Sequence, residues 1–377
     1  MDLNATYGNA SCHPAVINYR YFGALLGILV TVVGTAGNVM TILAFATEKK
    51  LRTRFNLLIL NLTFSDLLYC AFLQPVTVDT FMHFTWRHGE TMCRVFGFLL
   101  FVANAVSIFN LVLIAMSRYV LISDPQMFDR LYSRRTMPFF MAGPWALGAS
   151  LFGPLWSIYV FLPAVCTCSF HRGRGRPYTT VLMAFMFGVG LSCIGVFYFL
   201  IDRKVKAASK ALEQHRLQHE ASRRRRARRP KLPGELSGTD SGVDSQSGVT
   251  EETSVDQEAP GGQRPAPGAA EKDQAPGACP QAKKSSNSEF KRVTRMCFAM
   301  FLVYLICYFP FCVLHVADGR KRAPILLHMV AGNFTWFNSC VNPILYAVMN
   351  RQFKEAYLGV IWKGGRLFRR IARLGRE

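Results

Sequence analysis

Seven long apolar segments constrain the fold of this chain more than any other feature of its sequence. They span residues 21–47, 56–81, 92–122, 138–162, 177–201, 293–317 and 325–349. Each has roughly the ~20 residues that a helix needs to cross a bilayer. Because backbone polar groups must pair within the segment in lipid, each segment is predicted to be a helix. The sequence therefore predicts an all-α membrane protein with a seven-transmembrane helix bundle.

The distribution of charge predicts the orientation of that bundle. The chain carries 44 Lys and Arg against 23 Asp and Glu, a net charge of +21, which by itself would also suit nucleic-acid binding. However, the basic residues concentrate between alternate segments and after the last one, as they do in cytoplasmic loops. We therefore expect a plasma-membrane protein with its amino terminus outside, its carboxyl terminus inside and no nucleic-acid partner. Asn4 and Asn9, each in an Asn-x-Ser/Thr sequon, then become glycosylation sites.

Composition divides the chain into five regions. Residues 1–20 form an extracellular terminus, 21–205 the first five transmembrane helices, and 292–349 the last two. Residues 206–291 form a long third intracellular loop that is predicted to be disordered, above all over 230–288, because few apolar residues are available for a core. The ends of this loop are expected to extend helices five and six into the cytoplasm. In the tail, 350–377, basic residues alternate with apolar ones such as Phe353, Tyr357 and Ile361. That spacing predicts a short amphipathic eighth helix on the inner membrane surface.

Asp66 is the only acidic residue deep in the second segment. A buried carboxylate must be paired, protonated or bound to a cation. Ser107, Asn338 and Asn342 are candidate oxygen donors from the third and seventh segments. The four residues predict a site for an allosteric sodium ion; the alternative is a hydrogen-bonded cluster without an ion. The sequence predicts no other metal or cofactor.

The inner ends of the segments carry a second set of candidate functional residues. Arg118 and Tyr119 end the third segment, and Tyr198 ends the fifth. Pro343 follows Asn342 near the inner end of the seventh segment and permits a kink there, three residues before Tyr346. A bend at this face would alter the surface presented to a cytoplasmic partner.

With Gly37-Asn38, Leu62 to Asp66, Cys93, Trp145 and Pro310, these motifs resemble the rhodopsin-family G protein-coupled receptors. The resemblance implies that an outside ligand moves helix six outward and opens a cleft for a heterotrimeric G protein. Arrestin and receptor kinases are the other implied partners. The implied activation switch comprises Arg118, Tyr119, Tyr198, Pro310, Pro343 and Tyr346.

Three positions depart from the family pattern. Ser117 stands where an acidic residue usually precedes the helix-three arginine, which predicts some ligand-free activity. Tyr308 replaces the usual helix-six tryptophan, and Gly190 stands near the place of the usual helix-five proline.

The outer halves of the segments predict the class of ligand. Leu100 replaces the aspartate of amine receptors and Trp336 the retinal-binding lysine of opsins, so neither ligand is favoured. The surrounding residues are mainly apolar or aromatic: Tyr69, Leu100, Phe101, Tyr308, Phe311, Phe334 and Trp336, with Asn104 as a polar member.

Arg172, Arg174 and Arg176 lie in an outer loop, where the positive-inside rule gives no reason for basic residues. A guanidinium above an apolar cavity suits a carboxylate with a hydrocarbon tail, although a solvated loop is the alternative.

Cys12, Cys93, Cys166 and Cys168 fall outside the membrane, where disulfides persist. Spacing alone leaves all three pairings open.

Residues 51–58, 166–170, 175–180, 293–299 and 349–353 resemble receptors for medium-chain fatty acids. That resemblance implies a medium-chain acid ligand, including hydroxylated acids, with Gi/o coupling in inflammatory leukocytes. It also implies that Arg172 pairs with the acid, that Asn104 donates a hydrogen bond, and that Phe101, Tyr69, Phe311 and Trp336 line the cavity. It implies disulfides between Cys93 and Cys168 and between Cys12 and Cys166.

Three other functions compete with this hypothesis. A peptide or another acidic lipid would also suit a receptor of this family, but a peptide needs a wider polar mouth. A transporter would need inverted repeats and several charges along a path, whereas Asp66 is nearly the only deep charge. An enzyme is not expected, because no nucleophile-base pair or metal-ligand cluster has a suitable spacing.

Overall fold

The structure is a computed structural model that describes residues 11–227, 280–318 and 323–374. The predicted glycosylation sites Asn4 and Asn9 and residues 228–279 of the third intracellular loop lie outside these ranges.

The described chain is predominantly helical. In chain order the α-helices are α1 (Arg20–Thr47), α2 (Arg54–Leu68), α3 (Gln74–His83), α4 (Gly89–Ser123), α5 (Pro125–Leu131), α6 (Met137–Phe152), α7 (Arg172–Gly175), α8 (Tyr178–Ala227), α9 (Pro280–Ala317), α10 (Ile325–Phe334), α11 (Trp336–Met349) and α12 (Arg351–Leu374). A five-residue π-helix, Tyr69–Leu73, joins α2 to α3. Short 3-10 helices cover Pro14–Tyr19, Lys49–Leu51 and Gly153–Ile158, and the strands β1 (Tyr159–Leu162) and β2 (Thr167–Phe170) form an antiparallel hairpin.

These elements form the predicted seven passes. Passes one, three, five and six are α1, α4, α8 and α9; pass two is α2 with the π-helix and α3; pass four is α6; and pass seven is α10 with α11. In the described part of the chain, the helices of passes one, two, three, five and six are long and apolar enough to cross a membrane. Pass four has a helix of 16 residues, and pass seven is interrupted at Thr335.

Polar contacts join the passes in the interior of the bundle. The side chain of Asn61 in α2 donates to Asn110 Oδ1 in α4, at 3.0 Å, and accepts from Trp145 Nε1 in α6, also at 3.0 Å. The helix faces that point away from the bundle interior carry exposed apolar side chains. Leu25 and Val32 in α1 are examples. Such side chains face hydrocarbon in a membrane, whereas the polar groups find partners inside the bundle.

The prediction for the fourth segment was wrong at its outer end. The predicted helix extended to residue 162, but α6 ends at Phe152 and residues 159–162 form β1. Gly153 and Pro154 are poor residues for continuing a helix, which explains the end of α6. Residues 159–162 are apolar because the hairpin packs against the bundle: Tyr159 in β1 and Phe170 in β2 are both buried.

The ends of the third intracellular loop extend the flanking helices, as expected, but α9 begins inside the range 230–288 that was predicted to be disordered. Helix α8 continues to Ala227 and α9 begins at Pro280. Ala, Glu, Gln, Lys and Arg dominate 206–227 and favour helix, although they cannot form a core. The described residues divide into two compact units, with boundaries after Ala208 and before Ser285. The eighth helix is present as α12, which is longer than predicted.

Candidate functional site

A cavity of about 420 Å³ lies between the outer ends of the passes and the hairpin. This volume is within the range of small-molecule sites. Its lining includes seven residues predicted from the sequence: Tyr69, Leu100, Phe101, Asn104, Tyr308, Phe311 and Trp336. Phe334, which was also assigned to the wall, is instead largely exposed and packs against Phe337.

The β1–β2 hairpin closes the outer side of this cavity. Phe161 pairs with Cys168 across the hairpin, and Phe170 in β2 contacts Phe101 in α4 with ring centroids 4.7 Å apart. Burial raises the pKa of Tyr159 in β1 above its usual value, which keeps its hydroxyl neutral. Phe170 itself lines the cavity, so the hairpin supplies part of the binding wall.

Two disulfides attach neighbouring parts of the chain to the hairpin. Cys168 is bonded to Cys93 at the outer end of α4, and Cys166 is bonded to Cys12. The backbone N–H of Cys12 also donates to Phe84, and that of His13 donates to Pro163 in the hairpin turn. The amino-terminal segment is thereby held over the hairpin, in the pairing that the family resemblance implied.

A polar pair stands deep in the cavity. Tyr308 Oη donates to Asn104 Oδ1 at 2.6 Å, linking pass six to pass three. A small apolar side pocket of about 40 Å³ lies beside this pair and shares Phe101, Asn104, Tyr308 and Phe311 with the main cavity. The pair therefore lines both spaces.

Sequence reasoning missed several polar residues at the cavity. Asn333 in α10 lines it and donates to Tyr19 Oη at 2.9 Å. A polar residue within an apolar segment is the signal that could have identified it. Four histidines also line the cavity: His13, His171, His315 and His328.

Arg172 is the first residue of α7, which follows β2 directly. Its neighbours His171 and Gly173 both line the cavity, so the backbone of Arg172 lies at the rim. The placement of its side chain lies outside the described part of the structure. Arg176 lies nearby and donates to the backbone oxygen of His315 at 3.4 Å.

The predicted sodium-site residues only partly converge. Asp66 is fully buried and its Oδ2 accepts from Asn342 Nδ2 at 2.8 Å. Ser107 and Ser339 also interact with this carboxylate, and Ser339 was missed. Asn338 is buried too, but no hydrogen bond between the described atoms joins it to Asp66.

The predicted switch residues gather at the inner end of the bundle. The Arg118 guanidinium lies 3.4 Å from the centre of the Phe55 ring and interacts with Cys297 and Tyr198. The Ser117 hydroxyl bonds to the carbonyl of Ile114 in its own helix. Arg118 is thus enclosed by passes two, three, five and six.

The other switch residues surround this centre. Tyr119 packs against Phe197, and Tyr346 is buried against Phe353 of α12. Pro310 lies inside α9 and Pro343 inside α11, where the Pro343 ring contacts Gly37 so closely that a larger residue there would clash.

Seven passes, a lidded outer cavity and an arginine enclosed at the inner end define a class of membrane receptor. The profile of the 7 transmembrane receptors of the rhodopsin family matches residues 37–346. The chain belongs to this family, the class A G protein-coupled receptors. It is therefore a multi-pass plasma-membrane receptor and not an enzyme.

Named relatives resemble the chain over nearly its whole length. G-protein coupled receptor 84 of Mus musculus is 47% identical and that of Homo sapiens 45%, each over 98% of this chain and 99% of the relative. G-protein coupled receptor moody of Drosophila melanogaster is 27% identical over 90% of this chain and 51% of the relative.

Proposed function

We propose that this receptor binds medium-chain fatty acids, including hydroxylated ones, and signals through Gi/o proteins in immune cells. The observation that carries the proposal is the aromatic cavity beneath the hairpin, with α7 and Arg172 at its rim. A fatty acid needs an apolar space for its tail and a cation for its head. In this proposal Arg172, whose backbone lies at the rim, supplies the cation, and the cavity holds the tail.

The ligand orientation follows from this arrangement. The carboxylate pairs with the Arg172 guanidinium near the outer surface, since that charge-assisted bond is strong and geometrically specific. The tail extends inward between Phe101, Phe311 and Trp336. A hydroxyl on the chain bonds to Asn104, whose side chain already accepts from Tyr308.

The energetics suit moderate affinity. Each buried methylene contributes about 0.8 kcal/mol, so an acid of roughly ten carbons gains several kcal/mol from its tail. Lost freedom and desolvation offset part of this gain. We expect dissociation constants in the micromolar range.

The assignment of Arg172 is tested by Arg172→Ala. We expect the response to medium-chain acids to be abolished at micromolar concentration while surface expression is unchanged, because the carboxylate loses its cation. The measurement is cAMP inhibition, with and without pertussis toxin, which also tests the Gi/o assignment. Arg174→Ala is the matched control, as it removes the same charge from the same short helix and should leave potency within about threefold.

Unchanged potency in Arg172→Ala would contradict the assignment. The wild-type receptor should also fail to respond to the methyl esters of the same acids. An ester as potent as its acid would exclude carboxylate recognition altogether.

Transduction takes place at the inner end of the bundle. Ligand binding shifts pass six outward, separates Cys297 from Arg118 and opens the cleft that Gi/o enters; receptor kinases and arrestin act on the same activated state. This scheme places the amino terminus outside the cell and the carboxyl terminus inside.

A sodium ion is the proposed allosteric regulator. Asp66 Oδ1 is buried and accepts no hydrogen bond of 3.5 Å or less from the described residues, although the Ser107 and Ser339 hydroxyls lie near the carboxylate. A buried carboxylate oxygen and the Ser107 and Ser339 hydroxyls fit a small hard cation. Asp66 would supply the charge and the two hydroxyls neutral oxygens, with Asn342 holding the other carboxylate oxygen.

A further inference from the structure

A groove at the cytoplasmic ends of passes six and seven brings together cations from two distant segments. Arg292 and Arg295 come from α9, and Arg351 and Lys354 come from the first turn of α12. All four residues are exposed. The positive-inside rule explains basic residues in a cytoplasmic segment, but it does not explain their convergence on one groove.

Most of these cations have no protein counter-charge. In the part of the chain that the structure describes, no carboxylate lies within 4.0 Å of the charged nitrogens of Arg292, Arg295 or Lys354. Arg351 is paired with Glu355 at 2.7 Å, and Glu355 is the acidic residue that lines the groove. The groove thus has a net positive charge of about three, which attracts anions.

Two other basic residues of the cytoplasmic face are paired with acidic residues from distant parts of the chain. Arg54 binds Asp129 at 2.7 Å, and Lys363 binds Glu48 at 2.9 Å. Arg292, Arg295 and Lys354 have no such partner among the described residues, and what distinguishes them from other unpaired cations such as Lys49 is that they line one groove.

The position of α12 adds to the positive potential. The helix begins at Arg351 and has no acidic residue in its first turn. The amino end of a helix carries a partial positive charge, so two cations there are unfavourable by themselves. A bound polyanion reverses that repulsion.

The groove also has an apolar edge. Val348 is 77% exposed and Leu358 47% exposed, and both line the groove. At the inner boundary of a membrane protein such side chains contact acyl chains. The edge therefore suits a lipid better than a soluble anion.

We propose that this groove binds the phosphorylated headgroup of an inner-leaflet phosphoinositide, with its acyl chains against Val348 and Leu358. A headgroup with several phosphates engages the unpaired cations simultaneously, whereas a lipid with one charge engages few of them. The bound lipid bridges pass six to α12, the element that follows pass seven.

The test measures binding of a fluorescent phosphatidylinositol bisphosphate to the purified full-length receptor in phosphatidylcholine nanodiscs. The groove variant is Arg292→Gln/Arg295→Gln/Lys354→Gln. The matched control is Lys49→Gln/Lys50→Gln/Arg130→Gln, which removes three exposed cytoplasmic cations outside the groove. Thermal unfolding of both variants confirms that they are folded.

We expect the groove variant to bind the lipid at least about tenfold more weakly and the control to change by less than about threefold, since each nearby Lys or Arg contributes to attraction of anionic lipid. Phosphatidylserine at equal total charge should compete poorly. Equal weakening in both variants would show that the lipid is attracted by the general positive charge of the cytoplasmic face and not by the groove. Unchanged binding in the groove variant would exclude the proposed site. Equal affinity for soluble inositol trisphosphate would overturn the assignment to a lipid.

Discussion

At the scale of single residues, Tyr308 departs from the family pattern and uses its hydroxyl to bond Asn104. Tyr308 stands where relatives usually have tryptophan, and only tyrosine of the two offers a hydroxyl. That hydroxyl bonds Asn104 across the cavity floor. The small apolar pocket beside the pair shares both residues with the main cavity.

Tyr308→Phe should therefore change chain-length preference. Without the bond, the ring is free to move and the tail gains access to the side pocket. We expect the potency of longer acids to rise relative to shorter ones by roughly fourfold for each additional buried methylene. Dose-response curves for acids of increasing length measure this ratio.

Tyr304→Phe is the control for that experiment. It removes a hydroxyl from the neighbouring ring, 4.8 Å away between centroids, and that hydroxyl has no hydrogen-bond partner among the described residues. A chain-length profile that moves equally in both variants would show that the Asn104 bond has no part in selectivity.

The sequence identified functional candidates where a polar residue lies within an apolar segment. Asp66 with Asn342, and Arg118 at an inner boundary, were predicted on this ground because unpaired polar groups are costly in lipid. Cys297 and Phe55 were missed as partners of Arg118. Both look like ordinary apolar core residues, and only the packing of two helices brings them to the guanidinium.

At the scale of elements, the hairpin was the feature that sequence patterns concealed. Its apolar first strand reads as the end of a membrane helix, because hydrocarbon and a protein interior select the same residues. Hydropathy does not distinguish lipid contact from burial beneath a loop. The disulfides, in contrast, were anticipated through the family resemblance.

The outer disulfide should control ligand exchange. Cys12→Ser/Cys166→Ser releases the amino-terminal segment from the hairpin, while Cys93–Cys168 still holds the hairpin to α4. We expect agonist dissociation to accelerate by about tenfold, because the lid is no longer fixed. Kinetic binding with a labelled agonist measures the rate.

The control for the lid is Cys193→Ser, which alters a free cysteine in α8. It should leave the dissociation rate unchanged. An unaltered rate in the double variant, at normal surface expression, would contradict the role of this segment as a lid.

At the scale of the whole molecule, the Asp66 cluster connects passes two, three and seven between the cavity and the inner face. Its buried carboxylate contacts Asn342, which precedes the proline of pass seven. The seven-pass architecture was predictable because the apolar segments are long and few alternatives satisfy the backbone in lipid. The convergence of particular oxygens was only partly predictable, since Asn338 and Ser339 are neighbours and helix rotation decides which one points inward.

Asp66→Asn should abolish regulation by sodium. In the wild type, we expect agonist affinity to be lower in sodium chloride than in N-methylglucamine chloride at equal ionic strength, because the ion stabilises the inactive bundle. The variant should lose this difference. Competition binding in the two salts measures it.

Asp79→Asn provides the comparison, since Asp79 pairs with Arg87 near the outer surface. Its sodium response should match that of the wild type. Sodium sensitivity that persists in Asp66→Asn would place the ion elsewhere.

The π-helix of pass two has a consequence for how this chain tolerates length changes. A π-helical turn contains one residue more than an α-helical turn. This extra residue rotates the side chains that follow it by about 100° around the helix axis. Thr77 and Phe81, which follow the π-helix and line the cavity, owe their direction to that rotation. Deleting one residue at 70–72 would leave the composition of the pass almost intact, yet it would turn both side chains away from the cavity.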